Sequence, residues 1–159
     1  MKHFMDFVRE VYIDAHIVNG LLKLSLEGVV PQIYTLYSNT AHPEYFRFSF
    51  TREYIKGSSL RKSFSTIPDS KLGSIYSRIG MKLNLVKEEN IVHNDLHSGN
   101  IILREEDCEP FIIDWEAGKY SNNSETDINI LLNSTFNSLR ICGRAGLFKT
   151  LENNLLKSQ

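Results

Sequence analysis

Between Ile91 and Glu116 the chain reads IVHNDLHSGNIILREEDCEPFIIDWE, with His93, Asp95, Asn100 and Asp114 spaced for chemistry. Asp95 and Asn100 fall in a polar run between two apolar anchors, Ile91-Val92 and Ile101-Ile102-Leu103. Ser98-Gly99 lets the backbone turn back before Asn100, so both side chains can face one cleft. Asp114 follows Phe111-Ile112-Ile113, the pattern of a buried strand. An ionised carboxylate delivered by such a strand is costly to bury unless a cation or hydrogen bonds compensate it. Asp114 is therefore a metal-ligand candidate. Phosphoryl transfer asks for one carboxylate at the incoming hydroxyl and oxygen ligands holding Mg²⁺ against the phosphates. Asp95 with the Asn100/Asp114 pair has that composition.

Each residue taken alone has a plainer reading. Asp95 and Asn100 are common in loops as Asx turns, and Asp114 could cap the turn after its strand. His93 could be a hydrogen-bonded structural histidine. A second metal chemistry is also open, because on a strand His93, Asp95 and His97 would share a face and could bind a transition metal. Against it, His3, His16 and His42 have no ligand-like spacing, and neither HxH nor HExxH occurs.

The elements that must position these residues follow from periodicity. Phe4, Val8, Val11, Ala15, Val18 and Leu22 make one apolar stripe, which predicts an amphipathic helix over 3–23. Gly20 weakens its end, and Gly28 with Pro31 closes the segment. Gln32–Tyr37 and Tyr45–Ile55 are rich in aromatic and β-branched residues around the turn-forming SNTAHPE, which predicts an antiparallel hairpin ended by Gly57-Ser58-Ser59. A helix is expected from Asp69 to Val86, with Asp69 or Ser70 as N-cap and Leu72, Tyr76, Ile79, Leu83 and Val86 buried. Gly73 and Gly80 within it weaken the helix or allow close packing. Short strands follow near 101–103 and 111–114. SNNSET then opens a helix over Asp127–Leu139, with Ile128, Leu131, Leu132 and Phe136 facing inward. A last helix is expected within 143–159.

The chain has 159 residues, a length that predicts one domain with a single core. Its net charge of −1 gives no reason to expect nucleic acid or an anionic membrane as the main partner. Cys108 and Cys142 lack CxxC spacing, which fits a reducing compartment. Asp6, Arg9 and Glu10 interrupt any signal-peptide core, and no apolar run is long enough to span a membrane. The expectation is a cytoplasmic protein.

HNDLHSGNIIL followed by FIIDWEAG resembles the H-x-D-L-H-x-G-N-I-L … I-D-W/F-E/G pattern of atypical small kinases in the protein-kinase-like superfamily. Aminoglycoside and choline phosphotransferases, RIO kinases and the small kinase of the KEOPS complex carry versions of it. The resemblance covers about residues 8–139. VVPQIY followed by FTREYIKGSSL is similar to the two strands that run into the hinge between kinase lobes. The resemblance implies an α+β kinase-like fold over 1–159, with a truncated N-lobe and hinge over 1–55 and a mostly helical C-lobe over 56–159. Carried over by position, Asp95 would be the catalytic carboxylate, and Asn100 and Asp114 would hold Mg²⁺. His93 would be the structural histidine under the loop, and Asp127 would tie down the loop backbone. Glu53, Tyr54 and Ile55 would meet the adenine of ATP. Glu10, on the first helix, would pair with the lysine that holds the ATP phosphates, though a solvated helix charge is an equal reading.

Three departures qualify the resemblance. No glycine-rich phosphate loop or lysine strand is found, and Lys2 has no strand around it. DWE stands where many kinases have DFG. Only twelve residues separate Asp114 from Asp127, which leaves no room for a long activation loop. The leading expectation is an ATP- and Mg²⁺-dependent kinase acting on a serine or threonine of a protein. The alternatives are a degenerate kinase serving as a protein-binding module, a small-molecule phosphotransferase, and a fragment of a longer kinase. A protein substrate or partner is favoured over a small molecule. An open, aromatic-rich edge at Gln32–Tyr37 or Tyr45–Ile55 would be covered by a partner or a second copy.

Overall fold

In a computed structural model the described residues are 9–11, 15–39 and 47–158. Strand β1 (Arg9–Val11) precedes helix α1 (Ala15–Leu26), which is followed by β2 (Ile33–Asn39) and β3 (Arg47–Arg52). The three strands form an antiparallel sheet in the order β1-β3-β2. The expected hairpin is present, with β1 added to its other side. The long first helix is not, since Arg9, Glu10 and Val11 pair with Phe50, Ser49 and Phe48 as a strand. The expectations at 3–8 and 12–14 lie outside the described residues. Helix α1 continues through Gly20 and buries Ile17, Val18, Leu21 and Leu24. Gly20 suits this face, because a Cβ there would stand 3.0 Å from Ile91 Cδ1. β3 is flanked on both sides, so of the two expected open edges only that of β2 is unpaired among the described residues. Tyr34, Leu36 and Tyr37 are exposed along it.

Gly57-Ser58-Ser59, expected to end the hairpin, instead forms strand β4 (Gly57–Ser59). It leads into one helical turn, α2 (Leu60–Ser63), and then the long helix α3 (Asp69–Glu88). Strand β5 (Ile91–Val92) follows, then β6 (Ile101–Arg104), β7 (Pro110–Ile112) and β8 (Lys119–Tyr120). β4, β6 and β7 make a second antiparallel sheet, and β5 pairs with β8. Gly57 is demanded by close approach, since a Cβ there would fall 1.9 Å from Leu103 O.

All five apolar residues expected to line α3 are buried. Its N-terminus is not capped by Asp69 or Ser70. Pro68 holds the cap position, its carbonyl accepting from the Lys71 and Leu72 N–H groups. Asp69 instead receives the Arg144 guanidinium, which also donates to the Phe64 and Ile67 carbonyls. Helix α4 (Glu125–Ile141) buries Asp127, Leu131, Thr135 and Leu139, an i, i+4, i+8, i+12 stripe. Phe136 is one position off that stripe. It is exposed and meets Phe148 edge-on at 5.3 Å, contrary to its expected inward position. Helix α5 (Phe148–Lys157) lies against α3, burying Leu151 and Leu155. Gly80 permits this approach, because a Cβ there would be 2.4 Å from Leu155 O. One buried cluster runs from Ile17 on α1 to Leu155 on α5. No helix among the described residues is long and apolar enough to cross a membrane.

Candidate active site

The loop after β5 is held from below by one carboxylate. Asp127 is buried in the first turn of α4, where its Oδ2 accepts from His93 N–H at 2.7 Å and its Oδ1 from Asn94 N–H at 2.7 Å. Both carboxylate oxygens are thus spent on consecutive backbone amides. The loop must take a left-handed step at Asn94 (φ 64°), a conformation that costs a non-glycine residue about 1 kcal/mol or more. The charge-assisted bonds to Asp127 offset that cost.

His93 lies directly above. It is almost fully buried, its ring packed at a tilt of 51° against Trp115 with the centroids 4.7 Å apart. Its Nε2 faces the carbonyl of Ile113 at 2.8 Å, and its Nδ1 accepts from Asp95 N–H at 3.3 Å. A carbonyl can only accept, so Nε2 carries the hydrogen and Nδ1 the lone pair. Burial holds the imidazole pKa below 6.5, outweighing the Ile113 carbonyl and the carboxylates of Asp127, Asp95 and Asp114, which pull the other way. Both ring nitrogens are committed, which removes His93 from any metal set. Among the described residues no three His, Cys, Asp or Glu side chains form a metal-binding group.

The remaining residues close around the same loop. Asp95 carries a half-exposed carboxylate with His97 Nε2 at 3.9 Å from its Oδ2. Asn100 is buried, and its Nδ2 donates to the Asp95 carbonyl at 3.0 Å. That bond commits the amide nitrogen and leaves Oδ1 as the atom able to meet a cation. The Ile113 N–H donates to the Asn100 carbonyl at 2.9 Å, so the residue before Asp114 is stitched to Asn100. Asp114 itself takes a left-handed conformation (φ 67°, ψ 58°) as the chain leaves β7. A half-buried carboxylate and an amide oxygen, both hard donors, suit Mg²⁺ completed by water and phosphate oxygens.

The residues expected at the hinge are split in their availability. Glu53 N–H donates to Gln32 O at 2.7 Å, and Gln32 N–H returns a bond to Glu53 Oε2 at 3.3 Å. No backbone hydrogen bond among the described residues engages Tyr54 or Ile55. Glu10 lies on β1 opposite Ser49, so its expected place on the first helix is corrected. A cavity of about 290 Å³ borders Glu53, Lys82, Arg104, Glu109 and Phe111 and takes in none of the loop residues. Lys82 in its wall is already bonded to Gly28 O and Glu109, and Arg104 to Asp107, so its charges answer one another.

No protein-family model matches the chain. Serine/threonine-protein kinase D of Synechocystis is 31% identical over 97 residues, covering 61% of this chain and 18% of that kinase. The EKC/KEOPS complex subunit bud32 of Dictyostelium discoideum is 27% identical over 111 residues, covering 68% of this chain and 42% of that subunit. Serine/threonine-protein kinase PknA of Nostoc is 30% identical over 101 residues, covering 61% and 17%. This chain thus spans less than half the length of each of these relatives. The solved structure of the Cydia pomonella granulovirus kinase PK-1 superposes with a TM-score of 0.58 at 14% identity, covering 71% of this chain and 41% of that one. The chain has a protein-kinase-like fold. Its relatives by sequence are serine/threonine kinases and a KEOPS subunit, as the resemblance of its central motif implies.

Within this kinase-like fold several contributors to the site escape sequence reasoning. Ser134 on α4 accepts from Ser98 N–H at 2.9 Å, a second tether of the loop from the same helix as Asp127. Asp127 and Ser134 are seven residues apart, two helical turns, which is the signal that could have linked them. Trp115 was noted only as part of DWE, yet it covers His93. Arg61 on α2 reaches the turn at Gly99. Nothing in the spacing of α2 announces that contact, because it depends on how β4 docks beside β6.

Proposed function

We propose that this chain carries the catalytic loop of an ATP- and Mg²⁺-dependent phosphotransferase whose acceptor is a serine or threonine hydroxyl of a protein. The observation that carries the reading is the stitching of Asp95, Asn100 and the residue before Asp114 into one loop, Asn100 Nδ2 donating to Asp95 O and Asn100 O accepting from Ile113 N–H. The kinase-like fold and the serine/threonine kinases among its relatives support the same reading.

Asp95, half exposed at the loop, would accept the proton of the incoming hydroxyl. Asn100 Oδ1 and the Asp114 carboxylate would hold Mg²⁺, which when bound neutralises charge on the transferring phosphate. His93, neutral and bonded at both nitrogens, keeps Asp95 N–H and Ile113 O at fixed separation, so the two acidic residues hold their relative positions. Asp127 fixes the backbone at His93 and Asn94 and takes no part in proton transfer, because both its oxygens are occupied. The open backbone groups at Tyr54 and Ile55 would receive adenine.

The test is Mg²⁺-dependent ATP binding by calorimetry, followed by phosphate transfer to a mixed serine/threonine peptide pool. Asp95→Asn is expected to keep nucleotide binding and lose transfer on the order of 100-fold or more. Asp114→Asn is expected to lose the Mg²⁺ dependence of binding. An Asp95→Asn chain that transfers at the wild-type rate would sink the assignment. Binding without transfer in the wild-type chain would make it a nucleotide-binding interaction module instead.

A further inference from the structure

Arg61 and Lys62 on α2 are exposed cations with no carboxylate or other partner among the described residues. Among the described residues several other basic side chains are answered: Lys23 by Glu89, Lys56 by Glu105, Arg78 and Lys82 by Glu109, Arg104 by Asp107, Arg144 by Asp69. Others that lack a carboxylate, such as Lys71, Lys87 and Lys157, lie on α3 and α5 rather than on α2. The Arg61 guanidinium lies beside the turn at Gly99. A Cβ built on Gly99 would stand 3.5 Å from Arg61 Cζ and 2.9 Å from His97 Cε1. The guanidinium and the imidazole therefore flank the same bare stretch of backbone, and the missing side chain of Gly99 makes room for both.

His97 is fixed in that place. Its Nδ1 accepts from Gly99 N–H at 3.0 Å, and its Nε2 lies 3.9 Å from Asp95 Oδ2. The imidazole is thus neighbour to the proposed proton acceptor, and it and Arg61 both lie beside Gly99. A substrate whose hydroxyl meets Asp95 must lay its adjoining residues over this ground. Extended peptide advances about 3.4 Å per residue, so a side chain one or two residues from the acceptor comes within reach of the guanidinium.

We propose that Arg61, with Lys62 adding to the local field, binds a carboxylate of the substrate, so that the acceptor hydroxyl is presented by an acidic peptide. This rests on the phosphotransfer reading above. An unanswered guanidinium offers a planar fork that matches a carboxylate with two parallel bonds. With Asp114 given to Mg²⁺, the half-exposed Asp95 carboxylate alone would favour basic residues beside the acceptor. The free cations of α2 reverse that preference on the side where the peptide lies.

The test uses the full chain, Mg²⁺-ATP and two serine peptides that differ only in carrying Asp/Glu or Asn/Gln around the acceptor. Arg61→Ala is expected to raise KM for the acidic peptide about fivefold, with kcat and the neutral-peptide KM changed less than roughly twofold. Arg61→Lys should restore part of the preference, and Arg61→Glu should move it to a lysine-bearing peptide. An Arg61→Ala effect on the KM of Mg²⁺-ATP alone would assign the guanidinium to the nucleotide and overturn the proposal. Equal effects on both peptides would also overturn it. Peptide binding to the Asp95→Asn chain, read by fluorescence anisotropy, asks the same question without turnover. Tighter binding of the acidic peptide that Arg61→Ala abolishes supports the proposal even if transfer is never seen. Equal binding of the two peptides overturns it.

Discussion

At the scale of single residues, His93 shows how a buried side chain can fix a loop through its neutral ring, its two nitrogens bonded to Ile113 O and Asp95 N–H. Its ring is neutral because burial penalises the cation more than three nearby carboxylates favour it. The sign of the pH dependence follows. The unfolded chain takes up a proton at this residue near pH 6.5, and the folded chain resists until lower pH. Below that pH the unfolded state binds more protons, so this contribution to stability is complete above the unfolded pKa and is lost as pH falls toward the folded one. One proton is worth at most about 1.4 kcal/mol per pH unit. Urea unfolding from pH 7.5 to 5.5 should therefore show a declining free energy. His93→Gln should be less stable at pH 7.5 and follow a shallower slope, and an unchanged slope would mean the ring is not held neutral. The placement of the candidate residues was legible at this scale where they sit in one contiguous loop. His93, Asp95 and Asn100 lie within eight residues, and local turn chemistry is enough to bring them together. Glu10 was not legible, because pairing with β3 fixes its segment and pairing is not a local property.

At the scale of elements, α4 does more for the loop than its amphipathic pattern implied. Asp127 and Ser134 both accept backbone N–H groups from it, at His93, Asn94 and Ser98. Asp127→Asn keeps one carbonyl oxygen for one amide and turns an NH₂ toward the other. An unsatisfied buried donor facing another donor is expected to cost about 2–3 kcal/mol. The loop should then lose its left-handed step at Asn94, and transfer should fall with kcat more than with the KM for ATP. Denaturant unfolding and steady-state kinetics on the same variant read both effects, and full stability in Asp127→Asn would show that water replaces the carboxylate. The pattern of α3 was legible in full because its stripe meets one continuous core. Phe136 was misread because α4 faces the core along Asp127, Leu131, Thr135 and Leu139, a stripe half polar in composition. Thr135 and Asp127 are buried there because each has partners: Thr135 donates to Leu131 O and accepts a hydrogen bond from the Tyr76 hydroxyl at 2.5 Å. Hydrophobicity alone points to the wrong face when buried polar groups are satisfied in this way. Gly57 was misread as a stop for a related reason, since its use is the close approach of Leu103 O across a strand pair.

At the scale of the molecule, the part bearing the three-stranded sheet and the part bearing the loop are joined by a charged cluster. Val29 O accepts from Ile112 N–H at 2.9 Å, and Lys82 on α3 donates to Gly28 O in the same connection. Glu109, just before β7, receives Lys82 at 2.6 Å and Arg78 at 2.7 Å, and Lys82 also lies 5.0 Å from the Phe111 ring centroid. Burial lowers the pKa of Lys82, and Glu109 is what chiefly opposes that shift. Glu109→Gln would therefore strand an ammonium that is nine-tenths covered. Removing one partner of such a pair is expected to cost about 2–4 kcal/mol near neutral pH. The unfolded chain holds its lysine proton to near pH 10.5, while the stranded group releases it earlier, so the deficit should shrink as pH rises toward 10. Adding Lys82→Met removes the stranded charge and should recover part of the loss and most of the pH dependence. Urea titrations of the wild-type, single and double variants at pH 7 and pH 9.5 close this cycle. If Glu109→Gln is as stable as the wild type at both values, Gly28 O alone suffices to hold the Lys82 ammonium and the carboxylate adds nothing to the join between the two parts.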